Sequence, residues 1–477
     1  MGAVERCLWG AGLLWSYVKG EWPGPWVKPR SRRKSDRLEK QPVAVGLRRL
    51  CIGGLCGASI LAYPYLAGAQ ELTRWTAVWA TSLQEIPTDL SGRNETPDVA
   101  GKTVRQIIFP SLGGDEVRLH ISNRYGTDQL DVIQATFAKA TGSGAAALGD
   151  PVTAVTFGGR THLQLPPGGE ADSDPIKINL VGHQPYAVSL YLGPQQSLQA
   201  WHRFASQVNF ISDDGDHSRD VTADAYQQRF TQFTWITSLS VADAAGSAVL
   251  AIGDSITDGV SSTLGLNHRW PDDLSSRLAV EGKTPLALLN AGIAGNRLLS
   301  NSPCYGESLS ARFEREITDQ GDVQTAIVLI GINDINFAAM PAQRASDCGF
   351  PHRQITAENL IAGYRDLIDV AHRHHVRLLI GTLTPASLPA DREAIRQAVN
   401  RWIRSGDSFD GVIDFDAALR DQARPQDLRL AYDSGDHLHP SDAGFAAMAA
   451  AVPLRLLSAP ADSQLRVSQA SAPTNIQ

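Results

Sequence analysis

Cysteine is scarce in this chain. Five occur in 477 residues, and three of them, Cys7, Cys51 and Cys56, lie near the N-terminus, which leaves only Cys304 and Cys348 in the remainder. No Cys-x-x-Cys pair and no His/Cys spacing of a zinc site is present, so neither a metal centre nor a cofactor is expected. His372, His374 and His375 do cluster, but they close a helical pattern, where positive side chains favour the C-terminal end. An excess of basic charge is missing too: the formal net charge of −7 gives no reason to expect nucleic acid as a partner. Apolar residues at 43% and charged residues at 19% fit a soluble globular protein, and the length allows two or more domains.

Long apolar runs are also absent, with one exception. Residues 28–40 are basic, polar and without an apolar period, and residues 1–45 are expected to be a disordered leader, placed ahead of the true translation start. Arg48-Arg49 then precedes an apolar run closed by Ala67-Gly68-Ala69, the pattern of an export signal cleaved before Gln70, with a loose likeness to twin-arginine signals. A membrane anchor is the alternative. Pro64 and the many glycines and alanines make the run a poor spanning helix, so cleavage and a secreted or periplasmic protein with no stable membrane partner are expected.

Residues 72–245 read as an all-β, sandwich-like domain. Val117, Leu119 and Ile121 alternate with Arg118 and His120, and Val188, Leu190 and Leu192 alternate with Ser189 and Tyr191. Further apolar stretches at 104–109 and 233–236 are separated by turn signals such as Gly113-Gly114, Gly158-Gly159 and Pro166-Pro167. Trp75, Trp79, Trp201 and Trp235 read as core or interface residues, with stacking on sugars as the alternative.

Residues 242–247 are small and polar, a plausible junction, and the pattern then changes. Apolar strands are expected near 248–252, 286–291, 325–330, 376–381 and 411–415, with helices near 270–281, 307–319, 356–374, 391–404 and 442–457. This alternation predicts an α/β domain over 248–457, a parallel sheet with helices on both faces. Residues 458–477 read as a frayed tail.

The chemistry-bearing residues follow the ends of these strands, where ligands bind in such sheets. Gly253-Asp254-Ser255 sits where a strand turns toward a helix, which lifts a serine hydroxyl off the sheet edge beside unpaired N–H groups. Alone it reads equally as a turn glycine and a helix cap. The segment Asn290 through Gly295-Asn296 can bring a backbone N–H close to a reacting oxygen, because glycine allows close approach. Asn333, in Gly331-Ile332-Asn333-Asp334, can donate its amide to the same oxygen. Asp436 and His439 can hydrogen-bond on one turn and leave the outer imidazole nitrogen for a serine from another strand. Each motif has a bland reading as a turn or a cap. Together they fill the roles of nucleophile, oxyanion donors and oriented base that acyl transfer needs.

These blocks resemble those of the SGNH (GDSL-type) hydrolases. Segments 267–271, 290–298, 328–334, 411–416 and 432–440 are similar to the bacterial subgroup of arylesterases and acylhydrolases related to a xylanase-cluster esterase. The resemblance covers residues 248–457 strongly and the β-rich half less specifically. It implies a flavodoxin-like three-layer α/β/α fold with a five-stranded parallel sheet and metal-free ester hydrolysis. By position it implies Ser255 as nucleophile, His439 as general base, Asp436 as its orienting acid, and an oxyanion hole of the Ser255 and Gly295 N–H groups and the Asn333 amide. A short acyl group on a polysaccharide is the first expected substrate. A lipase-like or aryl-ester activity is the alternative, as is a carbohydrate-binding surface protein with a vestigial hydrolase half. Export would put Cys304 and Cys348 in an oxidising compartment, where a disulfide between them is expected, two separate buried thiols being the alternative.

Overall fold

A computed structural model describes residues 73–87, 96–242, 244, 246–342, 347–406 and 408–458. The expected leader, export signal and C-terminal tail lie outside the described residues, as do Cys7, Cys51 and Cys56.

The first half is antiparallel β throughout. One sheet runs in the order Trp75–Ala80, Ile236–Ala242, Gly114–Ser122, Glu170–Asp172, with Ile176–Leu180 also paired to Gly114–Ser122. A second runs Gln228–Phe230, Asn209–Asp214, Lys102–Ile108, Tyr186–Leu192, Leu130–Lys139, Thr153–Val155, with Leu163–Leu165 added beside Leu130–Lys139. In Gly114–Ser122 the alternation is kept: Val117, Leu119 and Ile121 are buried and Arg118 and His120 only partly so. In Tyr186–Leu192 it is not, and Ser189 is fully buried. A small second core (Ile107, Ala187, Phe210, Tyr226) covers the outer face of that sheet. The buried Arg105 crosses it, donating to Ser189 Oγ (2.9 Å) and to the carbonyls of Ala146 and Asp220 (2.5 and 3.0 Å). Trp79, Trp201 and Trp235 are buried, and Arg118 lies over the ring of Trp75, 4.2 Å from its centroid. None of the four forms an open stacking platform. The apolar stretch 233–236 starts its strand only at Ile236, because Phe233 instead pairs in an isolated bridge with His202.

The second half is a parallel sheet of five strands in the order β2-β1-β3-β4-β5: β1 Ser247–Gly253, β2 Leu286–Gly292, β3 Val323–Leu329, β4 Arg377–Gly381 and β5 Gly411–Ile413. The helices are α1 Ser255–Asp258, α2 Trp270–Glu281, α3 Leu309–Asp319, α4 Ile332–Phe337, α5 Ala357–Arg373, α6 Ala390–Ser405, α7 Phe415–Leu419 and α8 Asp442–Ala451. Helix α2 packs on α8 and α8 on α7, while α3 packs on α5 and α5 on α6, giving two helical layers around the sheet. The central strands are apolar on both faces, and Ala248 to Ile252 are at most 1% exposed, as a covered parallel strand requires. The last helix stops at Ala451 rather than 457, because Pro453 lacks an N–H and disfavours helical geometry at the residue before it. At the end of α5, His372 faces Asp410 (3.0 Å) and His374 faces Glu314 (2.7 Å), a hydrogen-bonded helix end.

One hydrophobic cluster runs through both halves, from Ala77 and Trp79 to Leu286 and Leu288. The strand Trp75–Ala80 lies against β2, and Ser111 Oγ accepts the Leu288 N–H at 3.0 Å. Among the described residues no helix is long and apolar enough to cross a membrane.

Candidate active site

The site is assembled from loops at the C-terminal ends of β1, β2 and β3 and from the turn before α8. At the end of β1 the chain must pass close under β3: a Cβ on Gly253 would lie 2.0 Å from the Leu329 carbonyl oxygen. Asp254 caps the single turn of α1, accepting the Ile256 N–H at 3.1 Å. This leaves Ser255 at the first position of that turn, 5% exposed.

The turn over 433–440 is closed by a bridge between Asp433 and Pro440 and by the Ser434 N–H to the His439 carbonyl (3.1 Å). Within it Asp436 accepts the N–H groups of Leu438 and His439 through Oδ1 (2.9 and 2.8 Å), and its Oδ2 lies 2.6 Å from His439 Nδ1. The other ring nitrogen, Nε2, is 2.8 Å from Ser255 Oγ. Burial alone would raise the Asp436 carboxyl, but the hydrogen bond and charge of His439 outweigh it and hold the group well below the ordinary carboxylate range. His437 points elsewhere. Its ring meets Asp433 at 2.6 Å and its side chain is 63% exposed.

Beside Ser255 the chain leaving β2 makes a tight turn. Ile293 N–H donates to Gly253 O (3.1 Å), Asn296 N–H to Ile293 O (3.0 Å), and Gly295 takes φ +78°. A side chain there would strike the Tyr305 ring at 2.4 Å, so the left-handed backbone and the aromatic neighbour both require glycine. Tyr305 in turn stacks on Phe337, ring centroids 5.6 Å apart. Among the described residues neither the Ser255 nor the Gly295 N–H has a protein acceptor. Asn333, on α4, gives one hydrogen of Nδ2 to the Asn296 carbonyl (3.0 Å), which fixes the amide over the same turn and leaves the second hydrogen available.

A buried polar scaffold holds these loops. Arg312 donates to the carbonyls of Gly253 (3.1 Å) and Ala291 (2.9 Å) and to Asn296 Oδ1 (3.1 Å), tying the ends of β1 and β2 together from α3. Asp334 accepts the N–H groups of Leu298 (2.8 Å) and Leu299 (3.0 Å). Burial pushes the Asp334 carboxyl up to about 6 and that of Asp254 to about 7. Asp258 accepts the Ala294 N–H at 2.8 Å. The sequence reading gave no role to Arg312 or Asp258. Asp258 follows the serine by three residues, whereas Arg312 lies mid-helix without a local signal.

Cys304 and Cys348 are joined in a disulfide, Cα atoms 5.1 Å apart, which links the segment after the Gly295 turn to the chain ahead of α5. Among the described residues no cluster of three or more His, Cys, Asp or Glu is placed to hold a metal ion. A cavity of about 270 Å³ lies at the seam of the two halves, lined by Trp79, His183, His202, Asp258, Arg269 and Asp272 among others.

Residues 251–447 match the model of the GDSL-like lipase/acylhydrolase family. No curated protein matches the chain. Among solved structures, an acetylxylan esterase from Geobacillus stearothermophilus is 23% identical, the match covering 46% of this chain and 96% of that one at a TM-score of 0.34. A GDSL-like lipase from Bacteroides thetaiotaomicron is 14% identical over 44% of this chain and 87% of that one, TM-score 0.31.

Proposed function

We propose, from the premise that residues 251–447 belong to the GDSL-like lipase/acylhydrolase family, that this ester hydrolase is a serine esterase acting on short-chain acyl esters through Ser255, His439 and Asp436. The observation that carries the reading is the unbroken line of hydrogen bonds from Asp436 through His439 to Ser255, 2.6 and 2.8 Å. Asp436 holds the ring with Nδ1 protonated, so Nε2 is the free base facing the serine hydroxyl.

In the proposed reaction His439 Nε2 takes the Ser255 proton as Oγ bonds to the ester carbonyl carbon. The carbonyl oxygen becomes an oxyanion between the Ser255 N–H, the Gly295 N–H and the Asn333 amide, donors already aimed where charge develops. The intermediate collapses, the C–O bond to the alcohol breaks, and the proton on His439 goes to the leaving oxygen. Water, deprotonated by the same nitrogen, attacks the acyl-enzyme; the bond to Oγ breaks, the proton on His439 returns to Oγ, and the acid is released.

A short acyl group is the reading we favour; the Tyr305 ring, stacked on Phe337, packs against the Gly295 turn. Acetyl groups on a polysaccharide are the first candidate, on the sequence resemblance of segments 267–271 and 432–440. Export is proposed with it: the Cys304–Cys348 bond is typical of oxidising compartments. The test is turnover of 4-nitrophenyl esters of increasing chain length and acetate release from acetylated xylan, by wild type and Ser255→Ala. Loss of all turnover in a folded Ser255→Ala protein is expected. Retained turnover overturns the reading, and a preference for long acyl chains overturns the substrate class.

A further inference from the structure

His202 belongs to the β-rich half, yet one nitrogen of its ring reaches into the hydrolase half. Its backbone is fixed on both sides, N–H to Phe233 O (2.8 Å) and O to Phe233 N–H (3.2 Å). The ring is buried, with 4% of the residue exposed. Nδ1 lies 3.1 Å from the Ser82 carbonyl oxygen and Nε2 lies 2.9 Å from Asp258 Oδ1. Both neighbours are acceptors, so the ring satisfies both contacts only by donating from both nitrogens, and the bond to Asp258 is charge-assisted.

Asp258 stands between the two parts of the site. It closes the one-turn helix that begins at Ser255, its N–H bonded to Asp254 O at 2.9 Å. Its second oxygen, Oδ2, accepts the Ala294 N–H at 2.8 Å, next to the Gly295 N–H in the chain. Gly292 packs directly against this turn, since a Cβ there would lie 2.2 Å from Asp258 N. Arg269, the cation nearby, holds Asp272 in a two-point contact (2.5 and 3.1 Å) and donates to Ala205 O. His202 therefore decides which way the Asp258 carboxylate is turned. Without it one carboxylate oxygen faces the seam cavity that both residues line, where water can take the place of the ring.

We propose that His202 is a positioning residue for the oxyanion hole: through Asp258 it holds the Ala294–Gly295 turn with the Gly295 N–H aimed at the reacting oxygen. The β-rich half is then part of the catalytic apparatus. This inference rests on the reading of Ser255 as nucleophile and Gly295 as oxyanion donor. Its effect is on the transition state, because an oxyanion donor acts where charge develops.

Two amide substitutions separate positioning from mere sealing of the seam. The Asn side chain puts its amide nitrogen where Nδ1 of histidine was, so His202→Asn keeps the Ser82 contact and loses Asp258. The Gln amide nitrogen corresponds to Nε2, so His202→Gln keeps Asp258 and loses Ser82. With 4-nitrophenyl acetate, His202→Asn should lower kcat about tenfold or more with KM within about twofold, short of the ~10²–10³ for a deleted oxyanion donor. His202→Gln should recover most of the loss. Imidazole added to His202→Ala should restore turnover through the adjoining cavity, after subtraction of its effect on wild type and on Ser255→Ala. Equal kcat for the Asn and Gln variants, whether both low or both at the wild-type value, overturns the proposal. Ser255→Ala run in parallel keeps the two claims apart. An active Ser255→Ala defeats the nucleophile assignment, whereas an inactive one beside a fully active His202→Asn defeats only the role of His202.

Discussion

In the proposed mechanism Asn333 has two duties on one amide, and they can be separated. One Nδ2 hydrogen pins the Asn296 carbonyl at 3.0 Å, and the other is available to an oxyanion. Asn333→Ala should lower kcat by about 10²–10³ with KM nearly unchanged, because the bond forms with charge in the transition state. If the amide only shapes the loop, melting temperature falls while kcat of the folded enzyme stays at the wild-type value. Measuring both on one preparation distinguishes them. Asp254 makes a different prediction. Burial foremost, with the charges of Asp334 and Asp258 adding to it, lifts its carboxyl from the ordinary 3.8 to about 7 against the N–H of Ile256. Below the lower value the group is neutral in both states. As pH rises toward about 7 the unfolded chain ionises first, so the native state loses stability across that window. Asp254→Asn keeps an oxygen for the Ile256 N–H and removes the ionisation. Its melting temperature relative to wild type should therefore climb between pH 5 and pH 8. A difference that stays flat with pH would sink this claim.

At the scale of elements, the parallel sheet was legible because its strands are covered on both faces and read as uninterrupted apolar runs. Helices α2, α3, α5 and α6 were legible by apolar period, and the structure adds side-chain caps at Ser308 for α3 and Thr356 for α5. Helices α1 and α4 were not, because one turn is too short to show a period, and both follow a glycine where strand gives way to loop. The motifs placed Ser255, Gly295 and Asn333 after strand ends, and the structure brings Ser255 to His439, which comes from the turn before α8 rather than from a strand end. Asp258 and Arg312 carry no local signal because Asp258 takes the Ala294 N–H and the His202 ring, and Arg312 the carbonyls of Gly253 and Ala291, all from other segments of the chain. The pairing of Cys304 with Cys348 closes a 44-residue separation across α3, β3 and α4. In the chain-entropy picture such a loop contributes about 2–4 kcal/mol by constraining the unfolded state. The Cys304→Ser/Cys348→Ser double variant should lose stability of that order in urea unfolding. An unchanged midpoint and slope would show that the link adds nothing.

At the scale of the whole molecule, the β-rich half finishes the hydrolase half. Strand β2 is the edge of the parallel sheet, and an uncovered edge presents unpaired N–H and C=O groups to other chains. Here the strand Trp75–Ala80 lies against it, and Ser111 Oγ takes the Leu288 N–H. Ser82 Oγ is 3.3 Å from the fully buried Arg312, and Gln84 Nε2 donates to the Cys304 carbonyl at 2.7 Å. None of this was readable in the sequence, since the contacts join residues about 180 to 230 positions apart and no local pattern encodes a partner so distant. A fragment of residues 247–458 would leave Leu286, Leu288 and the outer side of β2 bare, and would strip Arg312 and Asp258 of their partners from the β-rich half. Asp258 would lose its histidine partner while Arg312 keeps Glu316 at 3.1 Å, and the exposed apolar edge invites association. The fragment should elute as oligomers or aggregate, bind a hydrophobic dye, and turn over 4-nitrophenyl acetate far below the full chain. Supplying residues 73–246 in trans should restore part of the activity, because the missing contacts are non-covalent. A monomeric fragment with the melting temperature and kcat of the full chain would instead mean that the hydrolase half is self-sufficient and that the β-rich half serves something other than catalysis.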